Sequence, residues 1–568
     1  MSKNISRHDF LKGTALGAAG VAAGACVPMA APALAETESG MNAEKYLGKW
    51  DFEIPPAPIP DSDIAETIEA EVIVVGAGTA GLVAANSAMD EGLDVILISA
   101  SSMPIYRGGS NHAVMSKCKE RLGLPIDDEL LFQREMLNNG MNIDERKWYN
   151  FYNHSEEAMN WLIDIMEDKG YSVGLEQANQ FLDDGLYFSI PGAHGFMTED
   201  RHSMGMNQDM VVNELAARLE EGTDKPVYYK NIARQLVRED NNTGRVTAVI
   251  AEREDGSYAK YVGTKAIILA TGDFSSNRDM MYKYAPYTAE IISDAVFDAE
   301  PDYDKCFVYG GLYPGDGQRM GLWVGAAWQK VFPCCPMGGA VGAGPGNRSM
   351  LYTGLRIDRN GERFMNEYGF RDMGGYVNRL QPGGVVYAIW DAGHAAKYAE
   401  RVVPWINTGV PLGEDCTRDP ELVLQDWMNG AESGTYFKAD TIEELVEKMG
   451  LPASTVDTVA RYNELCHKGV DEDFHKDPRL LIPIEDGPFF GQMGNRTVIL
   501  CVLGGLRTTP NMQVCDENDD PIPGLYNVGT MVGDMFNVNY TFEIPGFNLG
   551  ATCVTFGYMV GKYIAANE

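Results

Sequence analysis

The sequence predicts an α/β protein, and three observations carry that prediction. An apolar run over residues 72–75 stops at three spaced glycines, then passes into an amphipathic segment and a second apolar run. Strand-like and helix-like patterns alternate from 71 to about 325. Residues 329–500 break the alternation, being richer in glycine, proline, tyrosine and turns, which marks an inserted second domain of α+β character.

Taken in order, the first 35 residues stand apart. Lys3, Arg7 and Lys12 make a basic start, an Ala/Gly-rich run follows over 13–25, and "ALA" at 33–35 precedes Glu36. This reads as an export signal with a small-residue cleavage site. A membrane anchor is the alternative, but the run is broken by Gly and Pro and is weakly apolar for a span of about 20 residues. "SRHDFLK" (6–12) resembles a twin-arginine export motif with His8 in place of the second arginine, a route that carries proteins already folded around a cofactor. A lipoprotein reading through Cys26 is weaker, because Ala23 stands where a larger aliphatic residue is usual.

Residues 36–70, with "KWDFEIPPAPIPDSDIAE" at 49–66, are proline-rich, acidic and without periodicity, which predicts an extended linker or wrap. The body begins at 71 and its first part runs to 328. It includes the amphipathic "VVNELAARLEEG" (211–222) and the buried-strand pattern "KAIILATGDF" (265–274). The inserted domain holds a helical unit, "TIEELVEKMGLPASTVDTVARYNELC" (441–466). Residues 501–568 return to the first body.

Composition narrows the partners. The 568-residue chain is 45% hydrophobic, long enough for two or more domains with sizeable cores. Its net charge of −35 argues against nucleic acid and against direct binding to an anionic bilayer, since both need basic patches. Small-molecule partners fit better, with membrane association only through a redox partner. Ten cysteines include Cys26, so the processed chain has an odd number and no complete disulfide framework. No C-x-x-C or C-x-x-C-H spacing occurs, so no metal site, cluster or attached haem is expected, and electrons must come from elsewhere.

The strongest chemical signal is "VIVVGAGTAGLVAANSAMDEGLDVILIS" (72–99). A strand leads into Gly76-x-Gly78-x-x-Gly81, with Ala77 and Ala80 between the glycines, then a helix and a second strand. Glycines admit a tight turn and the close approach of a pyrophosphate, and the helix N-terminus favours its charge. The fold expected is therefore a Rossmann-like dinucleotide-binding domain. Ser99 stands where an acidic residue would bind ribose hydroxyls, and serine hydrogen-bonds less strongly than a carboxylate.

Five further stretches occur in order: "YRGGSNHAV" (106–114), "AIILATGDFSSN" (266–277), "YPGDGQRMGLWVGA" (313–326), "NGERFMNE" (360–367) and "IPGLYNVG" (522–529). Together they resemble the FAD-dependent fumarate reductase/succinate dehydrogenase flavoprotein family, including its ketosteroid dehydrogenase relatives, over nearly all of the chain from 71. The resemblance implies FAD as cofactor and makes the inserted domain a cap over the substrate at the flavin face. It implies cofactor contacts from Gly76, Ala77, Gly78, Ala80, Gly81, Ser99, Gly108, Gly109, Ser110, Ala233, Ala270, Thr271, Gly272, Asp316 and Gly529. "ILCVLGGLRTTPNMQV" (499–514) and "TFEIPGFNLGATCVTFGYMVGK" (541–562) are similar to the family's C-terminal segment, which puts the amides near Asn548 and Leu549 at the flavin pyrimidine end.

The same resemblance assigns chemistry. In fumarate reductases of the family an arginine seven residues after the Phe of G-x-R-F-x-N-E protonates the substrate carbon as flavin N5 delivers hydride; counting from Phe364 gives Arg371. Other fumarate-reductase positions depart from the pattern. Asn347 and Met350 stand where the proton-return glutamate and arginine belong, Cys335 and Cys501 where histidines bind the dicarboxylate, and Ile544, beside Glu543, where the second carboxylate-binding arginine belongs. A dicarboxylate would lose its charge-assisted hydrogen bonds, so fumarate is not the expected substrate. "PGFNLGATCVTFGY" (545–558) is similar to the ketosteroid subgroup's segment after its catalytic tyrosine. That tyrosine's position is Phe542 here, with Tyr540 two residues back, either an acid or a buried structural phenol. The amides of Gly504 and Gly505 are a further candidate pair for polarising a carbonyl. Arg348, Glu367, Asp372 and Glu543 are the candidates to reprotonate Arg371. The pair Cys334-Cys335 reads as a vicinal disulfide, redox thiols or buried cysteines, the last being favoured.

The expected function is that of an exported FAD-dependent reductase of an activated C=C bond, an enoate, enone or unsaturated lactone, in a relatively apolar small molecule. Hydride would come from flavin N5, the proton from Arg371 or Tyr540, and electrons from an external cytochrome or flavoprotein. The alternatives are the reverse chemistry of a 3-ketosteroid-type dehydrogenase, a fumarate/urocanate-type reductase, and a non-enzymatic flavin-binding protein.

Overall fold

The structure is a computed structural model that describes residues 48–568, apart from 176–189, 201–206, 307–312, 340–353, 368–374, 402–418, 495–496, 539 and 541–542. The signal-like segment, Arg371, Asp372, Asn347, Arg348, Met350 and Phe542 therefore lie outside the described residues.

A seven-stranded sheet organises the body from 49 onward. Four of its strands are parallel and neighbours: Pro521–Asn527, Tyr258–Leu269, Ile64–Val75 and Val95–Ile98. Val72–Val75 pairs in register with Val95–Ile98 on one side and with Ala266–Leu269 on the other. These are β-branched and aliphatic residues without polar alternation, as befits strands covered on both faces. An antiparallel hairpin, Asn231–Arg238 with Val246–Arg253, is added through the latter strand to Tyr258–Leu269.

The Ile64–Val75 strand begins inside the stretch expected to be a linker. Residues 64–69 lie half in solvent on both faces, so the apolar alternation that would reveal a strand is missing. Main-chain pairing with residues 258–262 makes the strand there. Before it, Phe52 is buried, its carbonyl accepts from Trp323 Nε1 at 2.8 Å, and Ile59 N donates to the Gln235 side chain at 3.0 Å. The acidic proline-rich stretch thus wraps onto the body.

Two helices sheath the parallel strands. Thr79–Asp90 follows the glycine turn, and the final helix Phe556–Asn567 lies against it through small residues. A Cβ on Gly561 would come 2.5 Å from Ala88 N, so only glycine allows this contact. The 24-residue helix Glu145–Asp168 starts at an Asp144 cap and buries Trp148, Phe151, Ser155, Ala158, Leu162 and Met166, one face at helical spacing.

The inserted region carries a separate antiparallel sheet in the order Leu355–Asp358, Val386–Asp391, Phe489–Gly494, Phe437–Ala439. Alternation along its second strand sends Tyr387 and Ile389 into one core and Val386, Ala388 and Trp390 into another, so both faces are covered. Helices Ile442–Lys448 and Thr455–Lys468 form the helical unit read from sequence. The observed architecture is thus α/β with an α+β insertion. The chain leaves and re-enters the body along one path: Trp328 bridges Leu506, Cys334 bridges Leu503, and Met337 pairs with Ile499.

Glu367 is held inside the insertion by a buried ion cluster. Arg363 sends Nε and Nη2 to the two Glu367 oxygens at 2.8 Å each and Nη1 and Nη2 to Asp471 at 3.0 and 2.7 Å. Lys476 adds a contact to Glu367 at 3.1 Å, and Arg363 is sandwiched by the rings of Tyr462 and Phe474. Removing one member of such a cluster strands buried charge. Arg363→Met is expected to lose about 3–5 kcal/mol of stability by urea unfolding, whereas Arg461→Met, on an exposed cluster with Glu472 and Asp473, is expected to leave the urea midpoint nearly unchanged.

Candidate active site

The carboxyl ends of the four parallel strands converge, and the turns that leave them build one crevice. After Val75 the chain turns at Gly76, whose φ of +118° disfavours any side chain. A Cβ there would lie 2.3 Å from Ala270 O, and one on Gly81 would lie 2.0 Å from Gly76 O. Gly78 caps the helix beginning at Thr79, and its neighbour Ala77 accepts from Ile105 N at 2.9 Å. The first amides of this helix have no intrahelical acceptor and face the end of the sheet, an anion site by construction. Ala80 closes the turn against Gly529, which has φ +83° and would place a Cβ 3.0 Å from Ala80 Cβ.

Ser99 ends the second parallel strand and braces this turn. Its hydroxyl accepts from Ala77 N at 3.4 Å and Ser101 N at 3.3 Å and lies 2.8 Å from the Ser101 hydroxyl. Its carbonyl accepts from Asn231 N at 2.8 Å, which brings the hairpin strand bearing Ala233 to the same corner. Ala233 itself is buried in the core beside Ala251.

Ala270, Thr271 and Gly272 leave the third strand. Thr271 Oγ1 accepts from Gly317 N at 3.0 Å, and Gln318 Nε2 donates to Gly272 O at 2.9 Å, which docks the helix Asp316–Trp323. Asp316 opens that helix with its carboxylate held by Tyr303 at 2.8 Å and by Arg319. Gln318 Oε1 and Thr530 Oγ1, beside Gly272 and Gly529, are buried polar atoms with no partner among the described residues. Such orphans, a side-chain-free cradle and an open helix N-terminus fit a bound dinucleotide.

The opposite wall comes from the C-terminal segment. Leu549 touches Gly108 (a Cβ there would lie 3.3 Å from it), Gly546 lies against the backbone of Ser110, and Gly109 O accepts from Asn111 at 3.3 Å. Residues Leu549–Thr555 wind as a π-helix before the final α-helix, with Thr552 Oγ1 donating to Asn548 at 2.9 Å. Asn548 N donates to the Tyr540 hydroxyl at 3.2 Å. Tyr540 is buried, and that burial pushes its phenol far above the usual range. Cys334, Cys501 and Glu135 lie close enough to act on its ionisation. Cys334 and Cys335 are buried thiols not joined in a disulfide, Cys335 accepting from Thr288 Oγ1 at 3.4 Å; burial pushes the Cys335 and Cys501 thiols up to about 12.

Glu543 sits three residues past Tyr540. Asn138 Nδ2 donates to Glu135 at 2.8 Å and to Glu543 at 3.3 Å, tying the two carboxyl groups together. Burial, then the nearby Glu135 charge, pushes Glu543 up to about 7.

Gly504 and Gly505 are corrected by the structure. Gly504 N donates to Thr530 O at 2.8 Å and Gly505 N to Gln329 Oε1 at 2.7 Å, so both amides stitch the body together and are not presented to a substrate. Arg107 and Asp273 support the site from within two of its sequence motifs without being among the candidate residues. Asp273 accepts from Val502 N at 3.1 Å, from Ser275 N at 3.1 Å and Oγ at 2.7 Å, and pairs with Arg107 at 3.4 Å; Arg107 also donates to Leu500 O. They clamp residues 500–502 between the Gly108 and Gly272 turns. A charge directly after the apolar "AIILATG" was the available signal. Among the described residues no group of three or more His, Cys, Asp or Glu is placed to hold a metal ion, and no helix is long and apolar enough to cross a membrane.

Comparison with known proteins agrees with the crevice. The family described as the FAD binding domain matches residues 71–543. A vinyl phenol reductase of Lactiplantibacillus plantarum is 27% identical, covering 87% of this chain and 94% of that protein. A urocanate reductase of Eggerthella lenta is 25% identical over 93% of this chain and 78% of that protein. The crystal structure of a 3-ketosteroid-Δ4-(5α)-dehydrogenase of Rhodococcus jostii in complex with 4-androstene-3,17-dione shares the fold at a TM-score of 0.66, with 21% identity over 89% of this chain and 99% of that one.

Two outcomes are expected. Gly81→Ala forces its new methyl onto the Gly76 carbonyl and should weaken FAD retention about tenfold or more, read as flavin absorbance per protein after gel filtration. For Glu543, the folded protein keeps its proton up to about 7 while the unfolded chain releases it near 4.5. The folded state binds more protons in that window, so stability falls as pH rises through it. Glu543→Gln should match the wild type below the window and be the more stable protein above it, measured by urea unfolding across the range.

Proposed function

The chain belongs to the FAD-binding-domain family and is an FAD-dependent oxidoreductase acting on CH–CH groups; from that premise we propose an exported reductase of an activated C=C bond in a relatively apolar small molecule. When bound, FAD supplies the two electrons of that reduction. The Gly76–Gly81 turn, the Ala270–Gly272 turn and Gly529 would hold it, with Asn548 and Leu549 at its far end.

The observation that carries the substrate class is the character of the wall around Tyr540. Cys334, Cys501 and Phe536 neighbour the phenol, and cysteines stand where the fumarate-reductase pattern has histidines. A neutral or singly charged alkene conjugated to a carbonyl, a carboxyl or a phenol ring suits this wall better than a dicarboxylate. Relatives named for vinyl phenol and urocanate support an aromatic substituent on the alkene.

The chain's own part is to orient the alkene and supply one proton. Arg371 protonates the carbon beside the activating group. Tyr540, its oxygen accepting from the Asn548 amide, stays a neutral phenol and orients the activating group. The guanidine left behind must be reprotonated; of the four candidates, Glu367 and Glu543 lie among the described residues, and they differ. Glu367 is locked against Arg363 and Lys476, with a carboxyl held below the usual range despite burial, so it is a poor acid. Glu543, at about 7, takes up and releases a proton near neutral pH. It is the reprotonating group of this reading. Electrons arrive from a separate cytochrome or flavoprotein, and export follows from the basic, Ala/Gly-rich start of the chain.

The test uses holoprotein from the extracytoplasmic fraction, whose N-terminus is expected at Glu36. Reduced anaerobically, it is offered fumarate, urocanate, 4-vinylphenol, cinnamates and steroid enones in turn while flavin absorbance is followed. An aryl-substituted alkene or an enone should reoxidise it rapidly and fumarate slowly; the reverse order overturns the substrate class. With the productive alkene, Arg371→Lys is expected to lower kcat by about 100-fold or more with flavin content unchanged, and an unchanged kcat removes Arg371 from the proton step.

A further inference from the structure

A fully buried imidazole lies directly beneath the segment that starts the C-terminal helix. His112 N donates to Gly546 O at 3.1 Å, and a Cβ on Gly550 would lie 1.9 Å from His112 O, so residues 546–550 rest on this residue's backbone. Its ring has two partners. Nδ1 is 2.9 Å from Pro545 O, and Nε2 is 2.7 Å from Asp127 Oδ2. The other Asp127 oxygen receives Lys119 Nζ at 2.6 Å, and Lys119 also donates to Val114 O at 2.8 Å. Each of the three side chains is at most 1% exposed.

Counting donors fixes the charge. A peptide carbonyl can only accept, so Nδ1 carries a hydrogen. The ammonium of Lys119 against Oδ1 keeps Asp127 a carboxylate, which also can only accept, so Nε2 carries a hydrogen as well. A ring protonated on both nitrogens is an imidazolium. The neighbouring His194 is the contrast: it lies 2.7 Å from the Ser116 hydroxyl and 3.1 Å from Asn111 O, partners that suit a neutral ring, and burial pushes it down to about 3. The Tyr152 hydroxyl donates to the Asp127 main chain at 2.7 Å and adds no charge. Two cations thus face one carboxylate, and the cluster carries a net positive charge in a dry interior where charge acts at range.

We propose that His112 is a positioning residue held as an imidazolium, whose charge beneath Asn548 and Leu549 favours the more negative, reduced state of the bound FAD and raises its reduction potential. The proposal rests on FAD binding and not on which alkene is reduced.

The test compares the two-electron potential of FAD in the wild-type holoprotein and in His112→Gln by equilibration with a reference dye. The variant is expected to shift the equilibrium toward oxidised FAD by tenfold or more, about 30 mV for a two-electron couple. In parallel, nitrogen-15 NMR of the histidine-labelled wild-type holoprotein should show one ring protonated on both nitrogens, as the two acceptors Pro545 O and Asp127 Oδ2 require, and His112→Gln should lack that signal. If the glutamine variant fails to fold, Lys119→Met, which removes the second cation, should lower the potential and Lys119→Arg should restore it. A purely structural histidine would alter stability and leave the potential alone. An unchanged potential, or no doubly protonated ring in the wild type, overturns the proposal whatever the alkene assay returns.

Discussion

At the ends of the parallel strands, an atom of one turn, a carbonyl in two cases and a methyl in the third, occupies the space where a side chain of the next would be. Gly76 meets Ala270, Gly81 meets Gly76, and Gly529 meets Ala80, each at a distance that a Cβ would violate or crowd. Everything else in the crevice is arranged around this exclusion. The helix Thr79–Asp90 can place its first amides at the sheet edge only because its first turn carries no bulk there. The helix Phe556–Asn567 can close over it because Gly557 and Gly561 repeat the device one layer out. The family match over 71–543 follows a constraint of space before it follows any chemistry.

Around that cradle the charged groups divide by environment. Arg363, Glu367, Asp471 and Lys476 neutralise one another inside the insertion and leave nothing to give away. Glu543, tied through Asn138 to Glu135, is shifted the other way, burial outweighing the nearby Arg134 charge and bringing it up to about 7. Two glutamates are thereby a fixed charge and a group that titrates near neutrality. Their neighbours decide which is which.

The fold was legible wherever a local pattern carried it. The glycine spacing marked the turn, apolar runs marked Val72–Val75 and Ala266–Leu269, and helical periodicity marked Ile442–Lys448 and Thr455–Lys468. The strand start at Ile64 escaped because both faces of 64–69 meet solvent, and only pairing with a segment nearly two hundred residues away makes it a strand. The same distance hid the site's supports. Asp273 holds Val502, Lys119 and His112 meet at Asp127, and Glu135 reaches Glu543 through Asn138. Tyr540 was legible as a residue but not as a partner of the Asn548 amide. Gly504 and Gly505 misled because a glycine pair looks the same whether its amides face a ligand or the protein. Only the Thr530 carbonyl and Gln329 decide.

The acidity of the cysteines bears on survival in the presence of electrophiles. Alkenes conjugated to carbonyls alkylate thiolates, and an enzyme that gathers such molecules beside cysteines risks being consumed by them. Cys501 keeps part of its surface accessible, yet it and Cys335 ionise only near 12. Since the thiolate and not the thiol is the nucleophile, almost none of either is reactive at neutral pH. Enclosure that serves packing also gives these sulfurs immunity to conjugate addition.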